Sequence, residues 1–187
     1  MDKNVTMITS RSQLGELLVK FGLPKKVVEL GVAEGRYSRE MMAWGLDELH
    51  LVDLWETMPF ISGCASFDQK WHDENYTQVL QLQSEYPDKI FVHKGFSHKI
   101  ANLMPDETFG LIYIDAAHDY DSVCADIKCW YPKLVKGGVM AYHDYGLLTV
   151  YGVNRAVNEF ASANNLEIHE LLENGALENK GAWIRKP

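Results

Sequence analysis

Carboxylates and imidazoles fall in this chain at spacings that could do chemistry. Asp115 and His118 stand three residues apart in Ile114-Asp115-Ala116-Ala117-His118, and His143 and Asp144 are adjacent in Tyr142-His143-Asp144-Tyr145. An imidazole can accept a proton near neutral pH, and two carboxylates brought together can hold a divalent cation. A third group lies upstream, in Glu29-Leu30-Gly31-Val32-Ala33-Glu34-Gly35, with Asp53 following 22 residues after Gly31. Gly31 and Gly35 let the backbone turn sharply and approach a ligand. A carboxylate at the distance of Asp53 suits a ribose diol.

The hydrophobic pattern supplies the elements that must position these groups. Leu14, Leu17, Leu18 and Phe21 form the stripe of an amphipathic helix within 11–22, stopped at Pro24. Apolar runs at 26–30, 49–53, 90–92, 109–115 and 139–142 read as strands, with helical stretches between them. Ser97 is the expected cap of the helix carrying Ile100 and Leu103, Pro132 ends another helix, and Lys136-Gly137-Gly138 reads as a turn. Two last strands, 166–171 and 181–184, flank a polar turn at 173–175. Such alternation predicts an α/β, Rossmann-like three-layer sandwich, with a mostly parallel seven-stranded sheet and an antiparallel last strand. Ligands of such sheets bind outside the carboxyl ends of the strands, which is where Gly31, Asp53, Phe96, Ser97, Asp115, His118, His143 and Asp144 fall.

Length and composition set the frame. The chain has 187 residues, of which 47% are hydrophobic and 24% charged, which excludes a disordered chain and fits one domain over 1–187. Residues 1–24 form an N-terminal helical extension. Residues 54–71, with Trp55, Phe60, Phe67 and Trp71, are expected to form a lid and acceptor loop, the alternative being a cover for the sheet edge. With 18 Lys+Arg against 26 Asp+Glu, the net charge of −8 argues against nucleic acid or an anionic membrane as a partner. No apolar run reaches the roughly 18 residues of a membrane span. Cys64, Cys124 and Cys129 are odd in number and lack a C-x-x-C pair, so neither a disulfide framework nor a zinc ribbon is expected. Met1-Asp2-Lys3-Asn4 does not open a signal peptide, and the expected location is cytoplasmic. The partner is a small-molecule acceptor, and residues 11–22 either pack over the cofactor or give a surface for a second copy of the chain.

The glycine turn narrows the cofactor. A nicotinamide dinucleotide, as in an oxidoreductase, would set its diphosphate near Glu34, whose charge opposes it, and the later glycines of G-x-G-x-x-G are missing. S-adenosylmethionine has ribose and adenine, no phosphate and a positive centre, and fits better. The same turn would also serve as an ordinary strand-to-helix connection.

The segment 27–35 resembles the first motif of class I S-adenosylmethionine-dependent methyltransferases. Ile114-Asp115-Ala116-Ala117-His118-Asp119-Tyr120, Lys136-Gly137-Gly138-Val139 and Tyr142-His143-Asp144-Tyr145 are similar to later motifs of the macrocin-type, metal-dependent sugar O-methyltransferases. The resemblance implies that Glu29, Gly31 and Gly35 line the cofactor, that Asp53 holds its ribose, and that Phe96 and Ser97 flank its adenine. It further implies that Asp115 and Asp144 ligate a metal and that His118 is the general base. An alcohol is a weak nucleophile at neutral pH, so methyl transfer to a sugar-like or phenolic hydroxyl needs a base, a Lewis acid, or both. One departure stands out. Relatives carry a carboxylate where this chain has His143, and magnesium prefers an all-oxygen shell. Either the ion is manganese or a softer metal held by Asp115, His143 and Asp144, or His118 works alone. A non-catalytic S-adenosylmethionine-binding module is the rival reading. His50, His72, His93, His98 and His169 read as surface or packing residues, Asp126 and Lys128 as a solvated helix face, and Tyr145 and Tyr151 as acceptor contacts.

Overall fold

The computed structural model describes residues 8–58, 67–146, 152–173 and 176–187, so Phe60, Cys64 and Tyr151 lie outside the described residues. A 3-10 turn at Arg11–Gln13 leads into α1 (Leu14–Lys20). Then come β1 (Lys26–Leu30), α2 (Arg36–Met42), β2 (Glu48–Asp53), α3 (Gln69–Glu85), β3 (Ile90–Lys94) and α4 (Ser97–Ala101). β4 (Phe109–Ile114), α5 (Tyr120–Trp130), β5 (Leu134–Tyr142), α6 (Val153–Ala163), β6 (Ile168–Glu173) and β7 (Ala176–Arg185) complete the order.

The strands form one seven-stranded sheet in the order β3-β2-β1-β4-β5-β7-β6. The first five in that row are parallel, and β7 runs antiparallel to both β5 and β6. Successive strand residues point to opposite faces, which splits the core in two. Val27, Leu49, Leu111 and Val139 pack with Leu17 of α1, Met41 of α2 and Val79 of α3. Val28, Ile112 and Met140 pack on the other face with Ala101 of α4, Ile127 of α5 and Val157 of α6. Each buried Val, Leu or Ile is worth about 1.5–3 kcal/mol. This double burial explains why the strands read as continuous apolar runs. Strand order reverses between β1 and β4, so the ligand crevice is expected at their carboxyl ends.

Several boundaries differ from the sequence reading for local reasons. Helix α1 stops at Lys20, before Pro24. Gly22 takes a left-handed φ of 62°, and the Leu23 N–H bonds to the Leu18 carbonyl at 2.9 Å, which closes the helix end. Helix α3 begins at Gln69, capped by Asp68, whose side chain accepts the Trp71 N–H at 2.9 Å. Trp71 is therefore helical. Lys136-Gly137-Gly138 is no turn but part of β5, kinked where Gly137 adopts a φ of 77° and the pairing with β4 shifts register. Ser97 is the first residue of α4, not its cap. Phe96 holds the cap position, and the Ser97 hydroxyl accepts the Trp130 indole N–H at 2.7 Å instead.

Candidate active site

The turn after β1 is held by a side chain from β2. Asp53 Oδ2 accepts the backbone N–H groups of Val32 and Ala33 at 2.8 and 3.0 Å, and Oδ1 accepts that of Trp55 at 3.2 Å. Trp55 is fully buried and donates its indole N–H to the Ala33 carbonyl at 2.9 Å. Gly31 and Ala33 have φ of 81° and 49°, so the turn holds two left-handed residues flanking Val32 and is tied down by one carboxylate.

Beyond this turn lies a cleft of about 630 Å³ at the carboxyl ends of β1, β2 and β4. At one end Glu29 is buried and accepts a short hydrogen bond from the Ser38 hydroxyl. Burial pushes its carboxyl up to about 8 against that hydrogen bond, and the charges of Asp115 and Asp53 push the same way. Arg11 lies at this end too, its guanidinium 4.5 Å from the centre of the Tyr37 ring. At the other end are Phe96, Ser97, His98 and Asp126. Asp126 is buried, which raises its carboxyl to about 6, while a hydrogen bond to Ser97 and the charge of His98 pull the other way. The mouth carries Met58, Phe67 and Trp71, with the Phe67 and Trp71 rings stacked at 3.8 Å.

The ends of β4 and β5 bring four donors to one point. Asp115, His118, His143 and Asp144 each offer a ligating atom, all within 4.8 Å of one another. His118 Nε2 lies 3.3 Å from Asp115 Oδ1 and 3.5 Å from Asp144 Oδ2. His143 Nδ1 lies 3.0 Å from Asp144 Oδ1 and 3.4 Å from Asp115 Oδ1. Burial works to raise the Asp144 carboxyl, but the hydrogen bond and charge of His143, with the charges of His118 and Arg11, hold it below its ordinary value. Asp144 also sits at a φ of 54°, a conformation costing a non-glycine residue roughly 1–3 kcal/mol. Two carboxylates and two imidazoles fit a divalent cation, and the nitrogens favour manganese, iron or zinc over magnesium. Asp115 and His118 also line the cleft, so the cluster and the cleft share a wall.

A family model described as a methyltransferase domain matches residues 28–145 of this chain. The chain belongs to that methyltransferase family. A Sinorhizobium fredii (strain NBRC 101917 / NGR234) protein called "Uncharacterized protein y4gI" is 28% identical over 136 residues. That stretch is 70% of this chain but 14% of the relative, so the chain spans only a small part of its length. Among solved structures, the O-methyltransferase NovP superposes with a TM-score of 0.67 at 18% identity, covering 94% of this chain and 77% of that one. An O-methyltransferase from Bacillus cereus in complex with SAH gives 0.64 at 16% identity, covering 94% and 80%. At these identities the likeness shows the fold.

In this methyltransferase-family domain the structure places Glu29, Gly31, Asp53, Phe96, Ser97, Asp115 and His118 around one cleft. Gly35 is not among its lining residues. With a φ of 79° it starts α2 from the left-handed region, and a Cβ there would meet Val79 at 3.2 Å on the core side. His143 and Asp144 meet the cleft only through the cluster. Tyr145 is no acceptor contact: it is buried in the core, its hydroxyl 3.3 Å from Asn158. Asp126 is not solvated either, because the helix face it occupies covers the cleft. His50 and His93 pack as a stacked pair, rings 5.2 Å apart.

Arg11, His72, His98 and Asp126 line the cleft although the sequence reading singled out none of them as a site residue, setting only the segment 11–22 over the cofactor as one alternative. Nothing in the local pattern of Arg11 announces a site, since its proximity depends on the fold of 8–13 over α2. Asp126 left a faint signal, an acid on the same helical stretch as Val123, Ile127 and Trp130. Among the described residues no helix is long and apolar enough to cross a membrane.

Proposed function

We propose that this methyltransferase moves the methyl group of S-adenosylmethionine to a hydroxyl oxygen of a small sugar-like or phenolic molecule. The observation that carries the reading is the shared wall. Asp115 and His118 line a nucleoside-sized cleft and, with His143 and Asp144, form a cluster of proton acceptors and metal donors. On this reading adenine lies toward Phe96 and Ser97, ribose toward Asp53, and the amino-acid end toward Glu29. Asp53 has one lone-pair site left beside its three backbone donors, enough for one ribose hydroxyl.

Bound there, S-adenosylmethionine supplies an electrophilic methyl on a sulfonium centre. His118 takes the proton of the acceptor hydroxyl at Nε2, and Asp115 and Asp144 orient the imidazole and stabilise its charged form. A divalent cation held by Asp115, His143 and Asp144 would polarise that hydroxyl and lower its pKa. Phe67 and Trp71 offer a flat apolar face to the acceptor, and the walls hold the two reactants in line. The protein acts inside the cell, on this reading, without nucleic acid or membrane as partner.

The test is isothermal titration with S-adenosylhomocysteine, followed by product detection against a panel of sugars and phenols, each with and without chelator. Micromolar binding and a methylated hydroxyl are expected. A protein that binds no S-adenosylhomocysteine in either state would refute the proposal.

A further inference from the structure

We propose that Arg11 is the specificity residue that pairs with the carboxylate at the amino-acid end of the cofactor. The inference rests on the S-adenosylmethionine reading above and extends it to a part of the chain outside the matched 28–145. That cofactor ends in an ammonium and a carboxylate on one carbon. Glu29, buried at the same end of the cleft, answers the ammonium and leaves the carboxylate in need of a cation.

Among the described residues lining the cleft, Arg11 and Arg36 are the guanidinium groups, and no lysine is present. Arg36 is 81% exposed, with its Nη2 2.6 Å from Glu34 Oε1, so it stands at the rim of the cleft. Arg11 is placed differently. It opens the 3-10 turn capped by Ser10, its carbonyl accepts the Tyr37 hydroxyl at 2.9 Å, and its guanidinium lies over the Tyr37 ring. Tyr37 and Ser38 are neighbours at the start of α2, and Ser38 holds Glu29. One helical turn therefore positions both the cation and the acid. The planar fork of a guanidinium matches a carboxylate in two parallel hydrogen bonds. Nucleosides that keep the adenine and sulfur but lack the carboxylate would lose that pairing.

The experiment compares S-adenosylhomocysteine with 5′-methylthioadenosine, which lacks the amino-acid end, by calorimetric titration of the full chain. Arg11→Met keeps the apolar stem against Tyr37, and Arg11→Lys keeps the charge without the fork. The wild type is expected to bind S-adenosylhomocysteine more tightly. Arg11→Met should weaken S-adenosylhomocysteine about 10- to 100-fold and leave 5′-methylthioadenosine within about twofold, with Arg11→Lys between. Unchanged S-adenosylhomocysteine affinity in Arg11→Met would overturn the assignment. So would an equal loss for both ligands, which would make Arg11 a structural support. A wild type that binds neither ligand would instead remove the cofactor reading itself.

Discussion

Gly31 lies so close to Asp115 that a Cβ on it would sit 2.0 Å from the Asp115 carbonyl oxygen. The Asp115 N–H also bonds the Leu30 carbonyl at 2.8 Å. One glycine thus sets the spacing between the turn that faces the cleft and the loop that carries Asp115 and His118. Gly22 offers a control: it has a φ of 62°, but a Cβ there meets nothing within 4 Å. Gly22→Ala should cost roughly 1–3 kcal/mol from its backbone conformation alone. Gly31→Ala should cost clearly more, with loss of S-adenosylhomocysteine binding. Equal urea-unfolding free energies for the two variants would contradict the close approach.

His118 is next. Removing a general base lowers turnover about 10²- to 10⁴-fold, and the glycine turn is held by Asp53 and Trp55. His118→Gln should therefore keep S-adenosylhomocysteine affinity while single-turnover methylation falls by that factor. Turnover equal to wild type would take His118 out of the mechanism.

The donor set makes a metal prediction. Protein freed of metal should bind manganese or zinc more tightly than magnesium, because His143 brings a nitrogen donor to a site otherwise made by the Asp115 and Asp144 carboxylates. Replacing His143→Asp restores an oxygen donor and should move the preference toward magnesium. Calorimetry with each ion reads this without any acceptor. A His143→Asp variant with the wild-type order of affinities would argue that His143 is not a ligand.

Stability should respond to pH with two opposite slopes. His50 Nδ1 lies 3.0 Å from His93 Nε2, and burial, with the neighbouring His50, holds His93 down at about 4. Below the ordinary value of 6.5 the unfolded chain takes up a proton that folded His93 refuses. Its contribution is thus complete above 6.5 and lost as pH falls toward 4. Glu29 works the other way. With its carboxyl raised from 4.5 to about 8, the folded chain holds a proton that the unfolded chain releases, so this contribution fades as pH rises through that window. Denaturant midpoints between pH 4 and 9 should show His93→Gln flattening the acid limb and Glu29→Gln the alkaline limb. Variants whose pH profiles overlay the wild type would disprove both assignments.

The fold could be read from the chain because its physics is local and periodic. Runs such as Phe-Gly-Leu-Ile-Tyr-Ile at 109–114 are apolar at every position because both faces of the strand are covered, and the alternation with helices dictates a parallel sheet. Gly31, Asp53, Asp115, His118, His143 and Asp144 stand at strand ends for the same reason, and an open parallel sheet gathers its strand ends on one edge. That His118 faces both Asp115 and Asp144 was decided by the tertiary structure. It depends on the register of β4 against β5 and on a left-handed Asp144 that no residue type announces. Arg11 and Asp126 were hidden for a similar reason. Each is one charged side chain in an unremarkable local pattern, and only packing across the sheet turns it toward the cleft. Periodicity reports which face a residue occupies, whereas a site is a meeting of faces from segments far apart in the chain.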